Sequence, residues 1–412
     1  MSEESKNIEV PSGSVPPGAF KMPNVPKVSY QDPQSISTSY GWGNPVDFVL
    51  PNTVGKVIDM VLQIDFSVSG SVNAPPTPYW FERLETSLGG SAPIETVNKD
   101  ECYTETLAFL DVQDFQTIAP MVNIQANGAW NLGTSQRLTG TVNRLFLPLY
   151  SNCLTTMQPY LKGFTSDWKL RFILSQAAPV IDASGNGDTF TITGLRLLIT
   201  EAQLPPSVEA RLARQHSNGS IVYKTINRLR HMDTKVPTGA GTLEYTLTTF
   251  GNESAGVLAY FRAIDGQTNA DYVKIGKRAA VNTINLRDAN GNPYYATDLD
   301  GDYNLYFMTP WAVKGEPLDN NRCKENYLLP FSSHVGAVLE DGRDLGAYQM
   351  SGKEKIVVNL TAANYTALCT KLGSTSPASA NGAVFVAVSY DYMRVKVKQG
   401  KARVYYQREV PA

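Results

Sequence analysis

Residues 195–230 read LRLLITEAQLPPSVEARLARQHSNGSIVYKTINRLR, and the fold turns on how this stretch divides. Leu195, Leu197 and Ile199 alternate along one face of a strand that closes at Gln203-Leu204-Pro205-Pro206. Ser207 to Gln215 then has helical chemistry. Ser207 suits an N-cap, Glu209 sits in the first turn, and Arg211 and Arg214 sit in the last. Gly219 breaks the pattern, and Ile221-Val222-Tyr223 resumes an extended one. Two readings stand: a surface helix within one large domain, or a connector between two similar halves. The flanking sequence favours the connector, because it says the same thing twice.

A chain of 412 residues exceeds one ordinary core, so two domains are expected. Hydrophobic residues are 42% and charged residues 18%, which fits a folded β protein rich in uncharged polar side chains. The net charge of −2 disfavours genome binding by the folded body, and no sequence-specific nucleic-acid partner is expected. No run approaches the length of a membrane span, and Met1 to Lys6 lacks the order of a secretory signal. Cys102, Cys153, Cys323 and Cys369 are too scattered for a zinc ribbon and argue against a disulfide framework. Reduced, mostly buried thiols and synthesis in a host cytoplasm are the expectation.

Residues 1–36 carry Pro11, Pro16, Pro17, Pro23, Pro26 and Pro33, and read as an extended N-terminal arm. It is either a disordered tail or a segment ordered against a neighbouring subunit. From Val57 to Val68 the alternation is nearly complete, with Ile58, Met60, Leu62, Ile64, Phe66 and Val68 on one face. Further strands are read at Val46–Leu50, Leu145–Leu149, Trp168–Leu174 and Phe190–Ile199 in the first half. The second half offers Leu243–Leu247, Val257–Phe261, Leu305–Met308, Lys355–Leu360 and Ala383–Val397. Helical periodicity is scarce: Lys99–Leu110, the connector, and Ala362–Leu372. Many short strands with Asn-Gly and Asp-Gly turns and few helices indicate sandwiches or barrels.

The repetition is specific in order. Ala183-Ser184-Gly185-Asn186-Gly187 precedes the last strand of the first half, and Ala378-Ser379-Ala380-Asn381-Gly382 the last long strand of the second. Leu145-Phe146-Leu147-Pro148-Leu149 is answered by Tyr327-Leu328-Leu329-Pro330-Phe331. In each half an alternating strand follows, Trp168–Leu174 and Lys355–Leu360. The offsets are 195 (183 to 378) and 182 (148 to 330), far longer than a solenoid repeat, so they indicate a duplicated domain. Each half is large enough for an eight-stranded jelly roll.

With Asp47-Phe48-Val49-Leu50-Pro51 leading into a long strand, and the Leu-Pro-Leu element followed by Trp168-Lys169-Leu170-Arg171-Phe172, the chain resembles the double jelly-roll major capsid proteins of tailless icosahedral viruses. That lineage includes adenovirus hexon, membrane-containing bacteriophages and large eukaryotic DNA viruses. The resemblance is one of pattern and order over most of residues 37–412. It implies an all-β fold of two consecutive jelly-roll sandwiches, divided as arm 1–36, first jelly roll 37–203, connector 204–219 and second jelly roll 220–412. It further implies a homotrimer whose six jelly rolls form a pseudo-hexameric capsomer of an icosahedral virion. Neighbouring capsomers, minor capsid or penton proteins, and an internal membrane met by the N-terminal arm are its expected partners. Excursions such as Ala263–Pro293 would form an outward tower.

Little in the sequence points to catalysis. His216, His231 and His334 lack partners at ligand spacing, and no Gly-x-Ser-x-Gly, P-loop or Rossmann fingerprint is present. Asp298-Leu299-Asp300-Gly301-Asp302 superficially suggests a calcium loop but lacks the twelve-residue ligand pattern, and a polar turn is the better reading. Asp341 and Asp344 read as a loop with a local ion pair around Arg343. The sequons at Asn218, Asn252, Asn359 and Asn364 are expected by chance. The basic tail from Arg394 to Tyr406 is either a strand with one solvated face or a patch for acidic lipid, DNA or a neighbouring subunit. No catalytic, cofactor-binding or metal-ligating residue is assigned, and no cofactor is expected. Two other classes remain: a viral spike or lectin-like glycan-binding β protein, suited by 21 Tyr and 5 Trp, and a β-sandwich hydrolase needing two convergent carboxylates.

Overall fold

A computed structural model describes residues 27–31, 33, 40–50, 52–105, 117–123, 137–139, 143–149, 151–180, 182–183, 189–202, 204–233, 239–263, 280–314, 326–341, 345–371 and 383–405. The first eight principal strands are β1 (Lys27–Gln31), β2 (Pro45–Leu50), β3 (Lys56–Ser69), β4 (Phe81–Leu88), β5 (Glu95–Asn98), β6 (Asn143–Pro148), β7 (Trp168–Leu174) and β8 (Thr189–Ala202). They form two antiparallel four-stranded sheets, β1-β8-β3-β6 and β2-β7-β4-β5. The next eight are β9 (Ser220–Asp233), β10 (Gly241–Thr246), β11 (Glu253–Ala263), β12 (Thr283–Arg287), β13 (Leu299–Asp300), β14 (Tyr327–Pro330), β15 (Lys355–Leu360) and β16 (Ala383–Lys398). Their sheets are β9-β16-β11-β14 and β10-β15-β12-β13.

Adding eight to every strand of the first half reproduces the second, so both halves wind in one order: first-eighth-third-sixth against second-seventh-fourth-fifth. This is the jelly roll, in which consecutive strands lie in facing sheets except the fourth and fifth, which pair as a hairpin. The repeated sequence elements fall on equivalent strands. Leu145–Pro148 lies in β6 and Tyr327–Pro330 is β14; Trp168–Leu174 is β7 and Lys355–Leu360 is β15. The turn sequences 184–188 and 378–382 lie outside the described residues.

Local chemistry explains the elements. In β7, Trp168, Leu170, Phe172 and Leu174 are buried while Lys169, Arg171 and Ile173 alternate outward. In β3 the expected alternation holds from Met60 to Val68, but Ile58 is exposed and Val57 is buried. A β-bulge causes this: the register with β8 jumps from Thr200↔Asp59 to Glu201↔Val57, so Ile58 is skipped and the strand's faces exchange.

Four expectations need correction. Lys27–Gln31, inside the span read as an arm, is a sheet strand paired with Glu201 to Leu197 of β8. Leu305–Met308, read as a strand, is helical: Gly301–Tyr303 opens a helix, Asn304–Met308 continues as a π-helical turn, and Thr309–Lys314 follows. Asp300 starts that run, its Oδ1 accepting from the Tyr303 N–H at 3.1 Å, and side-chain capping outweighs a short apolar pattern. The connector helix runs Pro206–Asn218 with Pro205, not Ser207, at the cap position, and Pro206 opens it because proline's fixed φ suits the first helical residue. The span read as an outward excursion, 263–293, contains β12.

The longer helices among the described residues are α1 (Lys99–Tyr103), α2 (Pro206–Asn218), α3 (Thr309–Lys314), α4 (Val335–Asp341) and α5 (Ala362–Lys371). None of the described helices is long and apolar enough to cross a membrane. One apolar core fills the first sandwich and runs on into the contact between halves, reaching Leu258, Tyr260, Val386, Val388 and Tyr390. A second core fills the interior of the other sandwich. There Tyr245 of β10 stacks on Phe385 of β16, centroids 3.9 Å apart at 10°, and Phe261 meets Phe385 edge-on at 5.4 Å. Because β10 and β16 belong to facing sheets, this stack ties the sandwich together. Phe385→Ala is expected to destabilise the protein by about 3–5 kcal/mol in urea unfolding, through lost burial and the cavity left behind.

Candidate functional site

The most concentrated chemistry lies between the sandwiches. The hairpin of β4 and β5 delivers Glu95, and the chain turns at once into α1, so Asp100, Glu101 and Glu105 follow within eleven residues. From the second half, Arg228 and Arg230 share one face of β9, and Arg262 comes from β11, two strands away in the same sheet. All seven side chains are largely or wholly removed from solvent.

Arg228 is the hub. Its Nη1 donates to Glu95 Oε1 at 2.7 Å and its Nε to Glu105 Oε1 at 2.7 Å, and its Nη2 also engages Glu105. Arg230 Nη2 lies 3.0 Å from Asp100 Oδ2 and its Nη1 3.4 Å from Glu101 Oε1; Arg262 Nε lies 2.9 Å from Asp100 Oδ2. Glu95 accepts further bonds from Ser151 Oγ (2.7 Å) and from the backbone N–H groups of Asn152 (2.8 Å) and Cys153 (3.2 Å). Asn152 passes the contact on: its Nδ2 donates to the Ile226 carbonyl, and its own carbonyl accepts from Thr225 Oγ1 at 2.8 Å. Burial works against the Arg228 charge, but Glu105 and Glu95 outweigh it and raise its pKa. Burial also pushes Glu105 up, with Arg228 opposing. The Cys153 thiol is raised by burial and by Glu95, so it stays protonated and unreactive.

A second contact closes the hinge side. His216, the buried residue at the end of α2, engages the Leu212 carbonyl through Nδ1 at 2.9 Å and the Tyr223 hydroxyl through Nε2 at 3.1 Å. Tyr223 in turn accepts from the Tyr160 N–H of the first half. A Cβ on Gly163 would stand 2.3 Å from the His216 ring, so only glycine allows this approach. Burial lowers the His216 pKa, which keeps the ring neutral. Thr165 N–H donates to the Gly400 carbonyl at 3.0 Å, fastening the same first-half loop to the turn after β16.

The residues singled out in sequence take other places. His231 lies edge-on to Phe250, and His334 Nδ1 accepts from the Ala337 N–H at the start of α4. Asp298 accepts from Asn285 Nδ2 and Asp300 caps its helix; among the described residues no His, Cys, Asp and Glu group is arranged to hold a metal. The side chains of Asp341, Asp344, Cys323 and Cys369 lie outside the described residues; Cys102 and Cys153 are free thiols. The joint itself was not found in sequence. Its partners are 123 to 162 residues apart and share no spacing signal.

Two further features stand out. Asp391 is enclosed in the second sandwich with Ser389, Ser254 and Asn252, and burial pushes its carboxyl up to about 6. On the outside, Tyr303 (52% exposed), Tyr306 (40%), Phe307 (55%) and Trp311 (53%) line one side of the helical run. Tyr303 stacks on Phe307 at 5.6 Å. The other side is anchored, with Asn304 Nδ2 donating to the Leu328 carbonyl at 2.9 Å and Val313 buried.

Arg228→Leu strands Glu95 and Glu105 without a countercharge and is expected to cost about 3–5 kcal/mol in denaturant unfolding. Arg228→Lys keeps the charge but loses the fork, and should fall between the two proteins. Asp391 titrates higher folded than unfolded, so its contribution to stability is complete below about pH 4. That contribution is lost as pH rises through about 6, a change of about 3 kcal/mol. Asp391→Asn should remove that slope from unfolding measured across this window.

No protein-family model and no curated protein matches the sequence. Solved structures do match in three dimensions. PBCV-1 VP54, as fitted into a reconstruction of the virophage Sputnik, has a TM-score of 0.67 at 14% identity, covering 94% of this chain and 98% of that one. The PBCV-1 virus capsid gives 0.65 at 15% identity, with 94% and 98% covered. The Faustovirus major capsid protein gives 0.60 at 8% identity, with 92% of each chain covered. Two sandwiches of identical strand order, matched over nearly the full length of both chains, give this protein the double jelly-roll fold found in the major capsid proteins of icosahedral viruses.

Proposed function

We propose that the protein is a major capsid protein, a structural component of an icosahedral virion that works by self-association. The observation that carries this reading is the doubled strand order, matched end to end to capsid proteins. In it, residues 37–203 with β1 form the first sandwich, 204–219 the connector and 220–412 the second. Three copies would then present six sandwiches as a pseudo-hexameric capsomer. The ionic joint suits the role, because it fixes the angle between sandwiches within each subunit. Its charged groups are buried and engaged with one another, out of reach of a substrate, which supports a structural rather than a catalytic reading.

The aromatic side of the helical run is the subunit contact we assign. From Tyr303 to Val313 it carries no charged residue, and depletion of charge with Tyr, Phe and Trp enriched is the composition of an interface centre. Light scattering of the purified protein should give the mass of three chains. A strictly monomeric species at micromolar concentration would overturn the reading. Phe307→Ala and Trp311→Ala should each raise the dissociation constant of the oligomer roughly thirtyfold while leaving the circular dichroism unchanged.

A further inference from the structure

Where the connector meets both sandwiches, four separated segments converge on one imidazole. His216 is 1% exposed in the last turn of α2. Its ring centroid lies 5.6 Å from that of Tyr160, 5.7 Å from Phe164 and 6.0 Å from Tyr223. The Gly400 N–H, in the turn after β16, donates to the His216 carbonyl at 3.3 Å. The 160–165 loop of the first sandwich, the connector, β9 and that turn thus share one contact point.

Hydrogen bonds around the ring run in one direction. A carbonyl only accepts, so Nδ1 carries the proton it gives to Leu212, and in the neutral ring Nε2 offers a lone pair. Nε2 therefore accepts from the Tyr223 hydroxyl, whose oxygen accepts from the Tyr160 N–H at 3.2 Å. A second proton on the ring would set two donors against each other across 3.1 Å. The Tyr223 hydroxyl has no other hydrogen-bond partner among the described residues to which it could turn. No carboxylate of the described residues bonds to the ring, so no countercharge softens the conflict. Lys162 and Glu209 are engaged with each other, and the Tyr160 hydroxyl lies 3.5 Å from Glu209. Lys56 pairs with Tyr160 through its backbone, while Arg211 and Arg214 are exposed on α2. Lys224 alternates to the other face of β9 from Tyr223, and Lys398 and Lys401, flanking the last turn, are exposed. Burial accordingly holds the His216 pKa below the ordinary 6.5.

We propose that His216 is an acid-released latch between the two sandwiches. Neutral, the ring closes the connector onto Tyr223 and the 160–165 loop. Charged, it has a better place at the C-terminal end of α2, where the last carbonyls favour a cation and Ser217 and Asn218 are exposed to water. Such a residue has two discrete positions that a single proton chooses between. Withdrawal of the ring unties the 160–165 loop from the connector. The ionic joint and the Thr165–Gly400 bond then remain, and the sandwiches gain freedom to change their angle. The sign is fixed by the direction of the shift. A folded pKa below the unfolded one makes the contribution of the latch complete above about pH 6.5 and lost as pH falls below it. Asp391 acts with the opposite sign, and His231 lies near the far end of β9. The latch works within one chain, so it does not depend on how many copies assemble.

Hydrogen–deuterium exchange of the full-length protein, corrected for the intrinsic rate at each pH, tests the latch. Peptides covering residues 206–223 should lose roughly tenfold in protection between about pH 7 and about pH 5, the size of one lost buried hydrogen bond, while peptides from β7 and β11 keep theirs. His216→Gln is neutral throughout this range and should show no such loss. Tyr223→Phe removes the donor to Nε2, which weakens the neutral state, and should move the loss to higher pH. Protection of 206–223 that ignores pH in the unaltered protein would overturn the proposal, as would the same loss in a folded His216→Gln variant. A loss that strikes every peptide together assigns the effect to global acid unfolding and overturns it too. Should His216→Gln fail to fold, the midpoint in Tyr223→Phe decides, and an unmoved midpoint counts against the latch.

Discussion

Removing a guanidinium or a carboxylate from water costs several kcal/mol per ion, and that cost is recovered only where countercharges and hydrogen bonds are already in position. Arg228, Arg230 and Arg262 find these countercharges in Glu95, Asp100, Glu101 and Glu105. A rotation of one sandwich against the other by a few ångströms would leave seven buried charges badly paired. Apolar surfaces alone tolerate sliding, because dispersion and burial are nearly indifferent to register. The ionic joint is therefore what gives the two halves a single relative pose. The apolar continuity through Tyr260, Val388 and Tyr390 supplies the bulk of the adhesion.

The same strand serves different neighbours along its length. Near its start, Phe385 and Ala387 of β16 face the second core, while Val384, Val386, Val388 and Tyr390 face the joint. Near its end, Met393, Val395 and Val397 are buried with the connector side, and Arg394, Lys396 and Lys398 turn outward. One alternating pattern of residues thus holds a sandwich, its partner and a charged surface in fixed relation. His216, set over Gly163 and bonded to Tyr223, completes the frame at the connector.

Much of this order was legible in residues, and the rest failed for identifiable reasons. Leu145–Pro148 and Tyr327–Pro330 carried the duplication because equivalent strands keep equivalent burial, and burial is written in period two. The burial of Val57 in place of Ile58 was not legible, since a bulge is a property of the pair and its partner strand lies more than a hundred residues away. Leu305–Met308 misled because four apolar-rich residues fit either period, and the Asp300 cap decided between them. Lys27–Gln31 was hidden by the prolines around it, which speak against independent folding but not against adding an edge strand to an existing sheet. The joint left no trace at all. A charged residue reads as surface unless its partner is known, and Arg228 finds its partners only through the tertiary fold.

The division of charge across the joint bears on the order of events at the ribosome. Every acid belongs to the earlier half and every guanidinium to the later one, with 133 residues between Glu95 and Arg228. At about 5–20 residues per second, translation delivers Arg228 roughly 7 to 27 seconds after Glu95. Throughout that interval the nascent first sandwich carries a hydrated, negatively charged flank, which repels the same flank on other nascent chains. Premature pairing between half-made copies is thereby discouraged until each chain brings its own cations.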